Sequence, residues 1–165
     1  MKKLRYAGLL LSFGVLMGGC SGYQYDQENK AIEAYAQEKM SQEMQDWGKV
    51  YSFKLGDVVQ YMTVEHINKA NRQDFFKNEI VQDFDAFLDF SYNNIPPIVT
   101  SADEDFFQQL FVYRMNNEKM IISLKQYLET SEESYYQNFL SCYEKFLNLQ
   151  KDILTEYEKA GMDIY

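Results

Sequence analysis

The chain has 165 residues, 46% hydrophobic and 16% aromatic, with 16 basic against 25 acidic side chains and a net charge of −9. That length suits one modest domain with a core of its own. The acidity argues against nucleic acid, whose binding needs Lys and Arg to neutralise phosphates, and leaves room for a basic protein partner or plain solubility.

In chain order, Lys2, Lys3 and Arg5 come first, followed by an almost wholly apolar run from Tyr6 to Met17 and then Gly18, Gly19 and Cys20. A basic stretch, a short apolar stretch and small residues form the layout of a secretory signal. The apolar run is about twelve residues, whereas a permanent span needs about 20. The segment Leu16-Met17-Gly18-Gly19-Cys20 resembles the lipobox of bacterial lipoproteins, with Met17 where Leu is commoner. The resemblance implies a thioether-linked diacylglycerol on Cys20, cleavage between Gly19 and Cys20, and often an acyl chain on the new amino group. An ordinary secretory signal with a chance cysteine, or an amphipathic N-terminal helix, is the alternative.

Two or three acyl chains anchor stably where one binds a bilayer only marginally. The expected organisation is a removed signal over 1–19, a lipidated tether over 20–25 and one helical domain over 26–165. Loss of Lys2, Lys3 and Arg5 leaves thirteen basic residues against twenty-five acidic ones, a mature charge of −12. In a cell with two membranes, Ser21 after the cysteine implies by the same resemblance the outer membrane, facing the periplasm. In a cell with one, the site is the outer face of the cytoplasmic membrane.

Only Cys142 then remains as a thiol, so no intramolecular disulfide forms and stability rests on packing. No glycine lies between Gly56 and Gly161, and the only prolines are Pro96 and Pro97. A sandwich of short strands needs turns every eight to twelve residues or so, so the pattern predicts long helices. The first is expected from Asp26 to Asp46, ended by Trp47-Gly48. The second runs from Ser52 to Ala70, with Leu55, Val58, Val59, Met62 and Ile67 at helical spacing. A restart at Asn71 and Asp74 leads to a third, carrying Phe76, Ile80, Phe84, Phe87 and Leu88 to Tyr92.

Asn93-Asn94-Ile95-Pro96-Pro97 is the clearest break. Ser101 with Glu104 matches a capping box opening a helix to Leu128 through Phe107, Leu110, Ile121 and Leu124, with a possible kink at Asn116-Asn117. Thr130 and Glu133 suggest another box. The last helix carries Tyr136, Phe139, Tyr143, Phe146, Ile153 and Tyr157, flanked by Leu140, Leu147 and Leu154, with Gln150 interrupting and Gly161 as a stop. So wide a stripe suits a bundle better than a two-stranded coiled coil. The fold class expected is all-α, an antiparallel bundle of four or five helices.

Candidate chemistry is sparse. His66 is the only histidine, and no HExxH, CxxC or Glu-x-x-His pair accompanies it. Glu79/Asp83 and Asp85/Asp89 lie at i, i+4, where like charges repel by a few tenths of a kcal/mol. A cation could relieve that, but a solvated face beside Phe84, Phe87 and Leu88 explains it too. Glu133-Ser134 resembles the Glu-Ser pair of lysozyme-like transglycosylases, but the Gly-Leu-Met-Gln that should follow is replaced by Tyr135-Tyr136-Gln137. Ile95, Pro96, Pro97 and Ile98 are the candidate partner contact if that loop is exposed; otherwise they pack onto the bundle end.

The expectation is therefore a non-enzymatic, membrane-tethered interaction or accessory protein for another envelope component, with no cofactor, no metal and no nucleic acid. Small helical lipoproteins resembling secretion-system pilotins are of this kind. An immunity or surface-exclusion lipoprotein that neutralises a basic toxin or conjugation factor is the alternative. A peptide pheromone released from the signal is a third.

Overall fold

The computed structural model describes residues 40–159, and among them every regular element is helical. Five α-helices follow one another: α1 Gln42–Val59, α2 Val64–Ala70, α3 Asp74–Asn93, α4 Ser101–Thr130 and α5 Glu133–Lys159. This is the expected all-α bundle. Of the first expected helix, residues 26–39 lie outside the described residues, as does the stop at Gly161.

α1 begins at Ser41, whose hydroxyl accepts from the Met44 amide. It does not end at Trp47-Gly48 but continues to Val59. Glycine inside a helix costs about 1 kcal/mol relative to alanine, and here that cost is outweighed. Met44, Trp47, Tyr51, Leu55 and Val58 recur every three or four residues and are all buried. The true break comes later, inside the expected helix over 52–70. A 3-10 turn, Gln60–Met62, gives way to Thr63 in an extended conformation (φ −84°, ψ 150°). The Thr63 hydroxyl accepts from the His66 amide and starts α2.

α3 buries Ile80, Phe84, Phe87 and Ser91 and ends at Asn93, just before the diproline loop. Its first turn has no side-chain cap: Gln73 occupies that place, and Asn71 instead closes α2. α4 is capped one residue earlier than expected. Thr100 and Asp103 form the reciprocal box, and Ser101 is the first helical residue. α4 then runs unbroken through Asn116-Asn117. Thr130 with Glu133 is not a box either, since the Thr130 hydroxyl accepts from Glu132 and donates to the Gln126 carbonyl. Ser131, at φ 60°, makes the left-handed turn into α5.

Side-chain pairs set the directions. Trp47 meets Phe90 and Tyr51 meets Phe87, so α1 and α3 are antiparallel. Ser91 meets Glu118 and Asp85 meets Lys125, so α3 and α4 are too. Tyr127 meets Tyr136 and Asn116 reaches the Cys142 carbonyl, pairing α4 antiparallel with α5. The result is an up-down-up-down bundle in which α1 and α4 run parallel, with α2 as a corner. One continuous core links Met44, Tyr51, Phe84, Phe87, Leu110, Ile121, Leu124, Phe139 and Phe146.

Candidate functional site

The loop between α3 and α4 is held at both ends. Tyr92, at the end of α3, lies beside Arg114, in the fourth turn of α4. Val99 donates its amide to Asp103, in the first turn of α4. Between those points α4 climbs about 17 Å at 1.5 Å per residue. Tyr92 and Asn93 still belong to α3, and the six steps from Asn93 to Val99 reach about 20 Å when extended. The loop therefore runs back along α4 stretched to most of its length, which suits Pro96 and Pro97, whose rings favour extended backbone. Ile95 packs on the core and Pro96 is half-buried, while Pro97, Ile98 and Val99 are exposed, the last two at 48% and 65%. The four candidate contact residues thus divide into an inner pair and an outer pair.

Asp103 fastens this loop. Its carboxylate is fully buried and accepts backbone amides from Ser41 (2.8 Å), Thr100 (3.0 Å) and Val99 (3.2 Å). Burial pushes its pKa up, but the amides of Ser41, Val99 and Thr100 and the Ser41 hydroxyl outweigh that and hold it below the usual range. The start of α1, the end of the loop and the start of α4 are thereby clamped at one pole. Thr100-x-x-Asp103 was as readable in sequence as Ser101-x-x-Glu104. The register of Ala102, Phe106 and Leu110, all buried, decides between them.

A second polar cluster lies in the core. Glu118 accepts from Arg114 Nε (2.6 Å) and Ser91 Oγ (2.5 Å), all three residues being buried. The Arg114 guanidinium lies within 6 Å of the rings of both Tyr92 and Phe107. Beside Glu118 in sequence, the buried Asn117 donates to the Tyr51 hydroxyl at 3.4 Å. Burial pushes the Tyr51 phenol up, and burial followed by the Glu118 charge does the same to Tyr92. These groups join α1, α3 and α4 through directional bonds.

The remaining candidates are dispersed. His66 is half-buried, bonds Thr63 Oγ1 through Nδ1 at 2.7 Å and stacks on Phe76, over which Lys69 sits at 3.8 Å. Asp83 accepts from Tyr61, Asp85 from Lys125 and Asp89 from Asn93. The Tyr61 phenol is pushed up to about 12 by burial and by its bond to Asp83. Glu133 is exposed in the first turn of α5 and accepts from Gln137. Cys142 is buried. Among the described residues, no group of three or more His, Cys, Asp or Glu is placed to hold a metal ion, and no helix is long and apolar enough to cross a membrane. Gly19 and Cys20 lie outside the described residues.

Comparison with known proteins finds no matching family model, no matching curated protein and no matching solved structure.

Proposed function

We propose that this chain is an extracytoplasmic lipoprotein, held on a membrane by acyl chains on Cys20, whose helical body binds a protein partner in the envelope. The observation that carries the reading is the ordered run of basic residues, apolar stretch, Gly18-Gly19 and Cys20. The clamped loop supports it. Ile98 and Val99 are presented on a backbone stretched along α4 and tied by Asp103, so little conformational entropy is lost when a partner covers them. Cys20→Ser tests the anchor: the wild-type chain should incorporate labelled palmitate and sediment with membranes, and the variant should do neither. Equal sedimentation of both would refute the reading.

The mature charge of −12 supports a second reading, an immunity or exclusion protein, because complementary charge speeds encounter with a basic toxin. Deletion should then sensitise cells to that toxin, and unchanged sensitivity would refute it.

A further inference from the structure

Among the described residues, α4 carries an outer face whose apolar side chains are left exposed. Phe111, Val112 and Met115 are 48%, 64% and 55% exposed, although Leu110 and Arg114 between and beside them are buried. The residues along the same face are ordered by charge. Glu104, Asp105 and Gln108 precede the apolar trio, Lys119 follows it, and all four are exposed. Asp105, Val112 and Lys119 are spaced seven apart, so they line up to within about 20° per step on one side of the helix. The stripe is acidic at one end, apolar in the middle and basic at the other end, with Val112 at its centre.

A surface with this symmetry is complementary to itself. Turned through a two-fold axis at Val112, the acidic end of one stripe meets the basic end of its copy, and the two apolar centres coincide. That is what an isologous contact requires. A parallel alignment would instead oppose Asp105 to Asp105 and Lys119 to Lys119. We infer that the outer face of α4 is an antiparallel contact between two copies of this chain, centred on Val112. Three apolar side chains and their charged flanks fall well short of the roughly 800 Å² per partner of a standard interface. The pairing is therefore weak between free chains and depends on copies concentrated by a common tether. In this respect it rests on the anchoring proposed above.

The geometry gives a strict test by cysteine cross-linking in cells making the full chain. Helices packed about 9–10 Å apart, with Cα atoms about 2.3 Å from each axis, bring the Cα atoms of two Val112 residues to about 4.4–5.4 Å, within disulfide reach. Asp105 lies about 10 Å along the helix from the axis, so two copies of Asp105 stand about 20 Å apart. Val112→Cys should thus cross-link to itself, and Asp105→Cys should cross-link to Lys119→Cys when the two variants are made together. Asp105→Cys alone and Lys119→Cys alone should give none, nor should Val64→Cys, which is exposed on α2. With Val112→Cys as reporter, Asp105→Lys should reduce the cross-linked fraction about five-fold, and adding Lys119→Asp should restore it.

Self-cross-links at all three α4 positions would show a parallel contact and overturn the inference. So would the absence of any cross-link, or cross-links only to a different protein. Palmitate labelling is read separately. Cross-links without label would refute the anchoring, and with it the dependence on a tether, and keep only the two-fold contact; label without cross-links would keep the anchoring and overturn the contact.

Discussion

Replacing Asp103 tests whether the loop, the start of α1 and the start of α4 are held by one carboxylate. Asp103→Ala removes three amide hydrogen bonds to a charged acceptor. Bonds to charged groups contribute about 1.5–3 kcal/mol each, and a buried amide left without a partner costs about 1–3 kcal/mol. Water reaches part of this pole, since Ser41 and Thr100 are only half-buried and Val99 is exposed. A total of about 3 kcal/mol follows, or roughly 10 °C in Tm for a domain of this size. Asp103→Asn keeps an acceptor oxygen and should lose about half as much.

The two substitutions also differ in pH dependence. The Asp103 pKa is depressed in the folded chain, so its stabilisation is full above the unfolded value of about 3.9 and is lost as pH falls through the lower folded value. Urea unfolding from pH 6 down to pH 3 should therefore bring wild type and Asp103→Asn closer together in acid. A Tm loss under about 3 °C for Asp103→Ala, or parallel acid profiles for wild type and Asp103→Asn, would refute the clamp.

Arg114→Met or Glu118→Leu alone strands a buried polar partner and should cost about 3 kcal/mol or more, while the two together should cost less than the sum, with Ser91 Oγ still left without its acceptor; additive losses in denaturant melts would contradict a coupled pair. Ser131→Gly should raise stability by about 0.5–1 kcal/mol by relieving the left-handed turn, and a drop in midpoint would show that the Ser131 side chain contributes more than its backbone strain costs.

Much of the bundle was legible because its apolar spacing is simple. Ile80, Phe84 and Phe87 set the face of α3, and Asn93 before Ile95-Pro96-Pro97 marked its end. α1 misled because Gly48 looks like a stop, whereas the buried Trp47 and Tyr51 on either side hold the helix together. The middle of α4 was the least legible. Arg114, Asn117 and Glu118 occupy core positions while Phe111, Val112 and Met115 face outward, so local hydrophobicity points to the wrong side. Only their tertiary partners, Ser91 and Tyr51, explain the inversion. In α5 likewise, Gln150 is buried within the apolar stripe, whereas Leu140 and Leu147 on its flank are partly exposed. The candidate loop was identifiable from Pro96-Pro97, but its division into half-buried Ile95 and exposed Ile98 depends on the stretched path along α4.

The most direct test of the central claim is the chemistry at the mature N-terminus. Cells making the full chain are labelled with palmitate, and the purified protein is analysed by intact mass. The expected product begins at Cys20, carries label, and has a mass equal to residues 20–165 plus a diacylglycerol, with or without a third acyl chain. Cys20→Ser should carry no label and should keep residues 1–19 or lose them at a different bond. A wild-type chain that takes up no label, or whose mass shows an unmodified Cys20, would rule out the lipid anchor.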